Sequence, residues 1–228
     1  MTTAGSIDTR ELADEITTRL CALSRQTTVP MRAVRREFSR RLANAAPEEV
    51  IRLAGQLLDR YRWVAYELVH HHAGALGLLG AKELQRFARG NDNWGAVDAF
   101  ACYLAGPAWR NRQVSDTVIR RWARSPDRWQ RRAALVSTVP LNNKSRGGTG
   151  DTPRTLQICR LLAGDREAMV MKALSWALRE LAKRDPQAVR TFLSLHSEVL
   201  AARVKREVTN KLATVLKNPR RAQRRSLY

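Results

Sequence analysis

Apolar residues recur at intervals of three and four along almost the whole of this 228-residue chain, and no run of six alternates apolar with polar as a half-buried strand does. That periodicity predicts an all-α protein. A first helix is expected from about Thr9 to Ser24 and a second from Pro30 to Ala43, because the fixed φ and missing N–H of proline suit a first helical turn. A third should open at Pro47-Glu48-Glu49, where acids complement the positive helix end and Val50, Leu53, Leu57 and Leu58 form one face. Further helices are predicted at about 62–77, 81–89, 93–105, 112–123, 127–138, 153–162, 166–184, 186–195 and 197–217. Helices of this length joined by short turns predict a superhelical array of antiparallel helix pairs. No strict sequence period enforces that array, and an irregular bundle is the plainer alternative.

Charge narrows the partner. Lysine and arginine total 41 against 21 acids, a formal net charge of +20, far beyond what solubility needs, so a polyanion is expected. No apolar run approaches the roughly 18 residues of a membrane span. The N-terminal MTTAGSIDTRELADE turns acidic where a secretory signal would be apolar, which points to a cytoplasmic, nucleoid-associated address. Residues 1–217 are expected to form a single domain and monomer, and 218–228, with four arginines after Pro219, a disordered basic tail able to contact phosphate. Between Pro140 and Thr152 the string PLNNKSRGGTGDT is too polar and glycine-rich for a helix and is expected to be a flexible basic loop carrying Lys144 and Arg146. Cys21, Cys102 and Cys159 lie far apart in apolar helical patterns and read as reduced packing residues. The run His70-His71-His72 has no partner at metal-ligand spacing, so neither a metal nor a cofactor is expected.

Three segments bear candidate chemistry. In NWGAVDAFACYL the buried stripe is Val97, Phe100, Ala101 and Leu104, while Trp94 and Asp98, four apart, emerge together at its edge. The plainer alternative pairs Asp98 with an arginine and packs Trp94 in the core. In DREAMVMKALSWALRELAKRD the stripe is Val170, Leu174, Ala177, Leu178 and Leu181, which leaves Trp176 on the opposite side with Lys172, Arg179 and Lys183. A large ring in a basic strip suits contact with a ligand or polymer, or packing on a neighbouring helix. In SPDRWQRRAALVSTV the inward face is Trp129, Ala133 and Val136; Arg132 sits at its border and Arg131 projects further out, a pair whose guanidinium forks match phosphate oxygens.

Together these segments resemble the DNA alkylation-repair glycosylases built from HEAT-like repeats, the AlkD-like family. The resemblance runs from about Pro30 to Leu216 and rests on Trp94 and Asp98 in WGAVD, Arg132 in WQRRAA and Trp176 in KALSWALRELAK, in family order and with similar spacing. TTVPMRAVRREF also looks like the family's Thr-Pro-x-x-Arg type of helix start, with Val29 before Pro30. The resemblance implies a concave basic groove holding duplex DNA, with the two tryptophans and the aspartate facing the deoxyribose of an alkylated purine nucleotide. It implies Arg132 on a nearby phosphate, and cleavage without enclosing the base in a pocket.

Such a site has its own physical logic. A purine alkylated at ring nitrogen 3 or 7 is already cationic and leaves without a general acid. As the glycosidic bond breaks, positive charge moves onto the sugar, where a carboxylate and electron-rich indole faces stabilise it. With no lysine embedded for Schiff-base chemistry, strand cleavage should not accompany base release. Two other readings compete: a non-catalytic protein binding distorted or branched DNA, and a protein-binding scaffold, which would not need +20 charge.

Overall fold

The computed structural model describes residues 7–218, and among these every regular element is helical. Two compact units divide the chain, the first ending at Val114 and the second beginning at Ser115. The first contains α1 (Thr9–Cys21), α2 (Thr28–Arg41), α3 (Pro47–Gln56), α4 (Leu58–His70), α5 (Ala73–Gly77), α6 (Ala81–Ala88), α7 (Trp94–Phe100) and α8 (Gly106–Arg110), with a π-helical turn over Ala101–Ala105 joining the last two. The second contains α9 (Asp116–Ala123), α10 (Arg128–Val136), α11 (Val139–Asn142), α12 (Thr152–Leu161), α13 (Ala168–Leu181), α14 (Pro186–Leu195) and α15 (Ala202–Thr214).

Helix starts follow from local chemistry. Asp8, Asn93, Asp127, Asp151 and Asp185 each accept backbone N–H groups from the first turn of the helix they precede, satisfying donors that have no partner within it. Packing within each unit keeps a parity. In the first, α1 lies against α2 and α3, and α2 against α4; in the second, α9 lies against α10 and α12, and α10 against α13, which also carries α15. First helix on first and second on second is how neighbouring pairs stack in a repeat helical array. Within each unit the predicted apolar stripe is buried: Val97, Phe100, Ala101 and Leu104 in the first, and Val170, Leu174, Ala177, Leu178 and Leu181 in the second, are essentially sealed from solvent.

Several expectations need correction. The helix predicted over 62–77 stops at His70, and the Nδ1 of His72 then accepts the N–H of Ala75 to start α5. The one predicted from 112 begins at Asp116, because Arg112 takes a left-handed φ of 64°. The last begins at Ala202 rather than 197.

The 140–152 loop is pinned, not flexible. Pro140 lies inside α11, a 3-10 turn spans Lys144–Arg146, and Gly147 reverses the chain at φ 78°. Arg184 then donates from Nε to the Asn142 carbonyl and from Nη2 to the Gly148 carbonyl, both at 2.7 Å. Gly148 is buried so closely that a Cβ there would lie 2.5 Å from the Pro140 carbonyl oxygen.

Cys102 and Cys159 are buried packing residues, but Cys21 ends α1 and is exposed, its Sγ 3.1 Å from the Tyr61 hydroxyl. The basic tail falls outside the described residues apart from Asn218. Among the described residues no helix is long and apolar enough to cross a membrane, and no group of three His, Cys, Asp or Glu could hold a metal ion.

Candidate active site

In the first unit the chemistry gathers on the helix that runs from Trp94 through α7, the π turn and α8. The Asn93 side chain accepts the Ala96 N–H at 3.0 Å and fixes where this helix begins. Trp94 is therefore the first helical residue, and its side chain stands 61% exposed. Core packing does not account for so open an indole. Asp98 follows one turn later and is half-buried, beside the sealed Val97 and Phe100. An aromatic face and a carboxylate thus share the edge of one short helix.

Downstream, the Gly106 N–H reaches back five residues to the Ala101 carbonyl, which widens the turn. Pro107 supplies the reason. Its ring would clash with the carbonyl four residues earlier, that of Tyr103, and it has no N–H to offer it. The Nδ1 of His70 on α4 lies 2.9 Å from that carbonyl oxygen, and since a carbonyl can only accept, Nδ1 carries the proton. The rings of His70 and Tyr103 meet edge to face at 5.2 Å.

The Tyr103 hydroxyl accepts from Nη2 of Arg32 at 2.8 Å, and Arg32 lies over the Trp63 ring at 5.0 Å. Arg32 and Arg35 both grip Glu67, whose carboxylate is 1% exposed: Arg32 binds Oε1 at 2.9 Å and Arg35 binds Oε2 at 2.9 Å. Burial is the largest single influence and works against the Arg32 charge, but the hydrogen bond and charge of Glu67 together with Tyr103 outweigh it and hold the guanidinium pKa above its ordinary value. Sequence reading missed this cluster. Its signals were an acid inside the apolar run VAYELV and a proline deep inside a helical pattern.

In the second unit, α13 carries Trp176, Lys172 and Arg179, all half-buried, on the side away from its sealed stripe. Burial lowers the Arg179 pKa, partly countered by Glu207 and Glu180, so this guanidinium is poorly solvated and suited to an anion. Its Nε donates to the Ser175 hydroxyl at 3.2 Å, and Ser175 in turn donates to buried Glu207 at 2.6 Å. Burial would raise the Glu207 pKa, but hydrogen bonds from Ser175 and Arg203, with Lys217 nearby, bring it below the usual carboxylate value. Lys183 is held by Glu180 at 2.7 Å.

On α10, Arg132 is 5% exposed and donates to the Met169 carbonyl at 2.5 Å. Arg131 is the more exposed of the pair, as expected, yet its guanidinium binds Asp165 at 2.7 Å and the carbonyls of Ser125 and Pro126. These contacts tie the start of α10 to the turn between α12 and α13.

An all-helical, strongly basic protein of stacked helix pairs, with an open indole and a half-buried carboxylate one turn apart, has the charge expected of a protein that meets a polyanion. A protein-family model described as DNA alkylation repair enzyme matches residues 26–212. The chain belongs to that family, so its work is the repair of alkylated DNA. No curated protein matches the sequence.

Proposed function

We propose that the protein is a monofunctional DNA glycosylase that hydrolyses the N-glycosidic bond of purines alkylated at ring nitrogen 3 or 7 in duplex DNA. The observation that carries this reading is the pairing on α7 of an indole left 61% exposed with a half-buried carboxylate one turn away, in a member of a DNA alkylation repair family. The substrate brings its own leaving-group charge, so no acid is required. Asp98 stabilises positive charge on the deoxyribose as the bond breaks and orients the attacking water, while Trp94 lays its electron-rich face against the sugar. Trp176, Lys172 and Arg179 on α13 contact DNA, while Arg132 and Arg131 on α10, drawn to the Met169 carbonyl and to Asp165, serve by holding α10 against the start of α13.

Nothing in this chemistry calls for a base-sized pocket, which accommodates bulky adducts as well as methyl groups. No Schiff-base lysine takes part, so the strand stays intact at the abasic product. The test is incubation with methylated duplex DNA followed by chromatography of the soluble fraction. Release of 3-methyladenine or 7-methylguanine with intact strands is expected; bound DNA without released base would overturn the enzymatic reading and leave a DNA-binding protein.

A further inference from the structure

We propose that Pro107, Tyr103, His70 and Arg32 are positioning residues that set the direction in which Asp98 faces, by holding the π turn between Asp98 and α8 open. The inference rests on the catalytic reading of Asp98 and adds a set of residues to it.

The helix from Trp94 to Arg110 is continuous in sequence but not in register. One residue more in a turn rotates everything on one side of it by about 100° relative to the other, since an α-helix turns 3.6 residues per revolution. Asp98 and Trp94 lie on the upstream side. Buried Pro107, Ala108 and Trp109 anchor the downstream side. The facing of Asp98 relative to that anchor is therefore decided at Ala101–Ala105 and not within α7 itself.

Contacts from two other helices converge on Tyr103 at that turn. Pro107 denies its carbonyl the usual N–H, His70 from α4 supplies one at 2.9 Å, and Arg32 from α2 binds its hydroxyl at 2.8 Å. Arg32 is itself locked to Glu67, a fully buried acid shared with Arg35. An ordinary helical turn needs none of this. Two separate helices, α2 and α4, place polar side chains on one irregular turn, and what that turn controls is the azimuth of the carboxylate just upstream.

The experiment uses the full chain. Pro107→Ala restores the missing N–H and lets the turn tighten; Tyr103→Phe removes the hydroxyl that Arg32 binds. For each variant, binding to methylated duplex DNA is measured by anisotropy and base release under single-turnover conditions. Pro107→Ala is expected to bind DNA within about threefold of wild type and to release base at least tenfold more slowly, with a several-fold loss for Tyr103→Phe. Combined with Asp98→Asn, Pro107→Ala should add no further loss, because both act through one carboxylate.

Multiplying losses, or wild-type release by Pro107→Ala, would overturn the proposal. A readout independent of activity separates it from the glycosylase reading: in protein labelled with 13C at aspartate carboxylates, the resonance assigned to Asp98 by its absence in Asp98→Asn should shift in Pro107→Ala. An unmoved resonance refutes the positioning role even if base release is robust. A shifted one supports it even if wild type releases no base.

Discussion

Trp94 and Asp98 stand one turn apart on α7, the indole open to solvent and the carboxylate half-withdrawn beside sealed Val97 and Phe100. The ring can meet a ligand that the acid then addresses electrostatically. At about 4 Å and an effective dielectric near 20, a carboxylate facing a developing cation contributes roughly 4 kcal/mol before solvation losses. Asp98→Asn should therefore slow base release by about 10²- to 10³-fold while leaving DNA affinity nearly unchanged. Equal single-turnover rates for the two proteins would remove Asp98 from the chemistry.

Glu67 balances two arginines in a site where neither Glu67 nor Arg35 reaches water. Glu67→Gln leaves Arg35 a buried cation without a counter-charge. A loss of about 3 kcal/mol in urea unfolding is expected, larger than for a surface acid. Glu15→Gln, on an exposed pair with Arg41, is the control and should cost well under about 1 kcal/mol.

Gly148 has no room for a side chain, with the backbone of Pro140 and Leu141 within 2.7 Å of an added Cβ. Gly148→Ala should cost about 1–3 kcal/mol and raise amide exchange across residues 142–150, because the Arg184 bonds depend on that close approach. Wild-type exchange in the variant would show that the loop is held elsewhere.

Acid should weaken the fold in two stages. His71 has its pKa lowered from 6.5, chiefly by burial and then by the Arg35 and His70 charges, with Glu67 pulling the other way. Above that value the folded and unfolded forms are both neutral there, and the group contributes nothing. As pH falls below 6.5, the unfolded chain takes up a proton that the folded site resists, so stability declines. Glu207, held below its usual 4.5, adds its loss only in more acid solution. A Tm series from about pH 7 to 5 should slope downward and flatten in His71→Asn; an identical slope in that variant would exclude His71 as the source.

The stripes of α7 and α13 were legible because burial at three-and-four spacing is a property of one helix at a time. The same periodicity hid the π turn, since a pattern of apolar residues does not register one extra residue when all its neighbours are buried. The Glu67 cluster was out of reach for another reason: Arg32 lies 35 residues from Glu67 and 71 from Tyr103, and nothing local announces those pairings. Composition misled over 140–152. Its glycines and polar residues suggested mobility, while its anchor, Arg184, lay 36 to 42 residues downstream. Cys21 was read as packing because its surroundings are apolar, but the helix ends at that residue and leaves the sulfur outside.

The burial of Cys102 and Cys159 has a chemical consequence for a protein that meets alkylated DNA. Reagents that alkylate purines also attack sulfur, and the thiolate is the form they attack. Enclosure pushes the Cys159 thiol far up, and Cys102 is as well hidden, so neither presents a target. Cys21 is left as the one sulfur among the three where an electrophile loose in the cell could mark this repair protein itself.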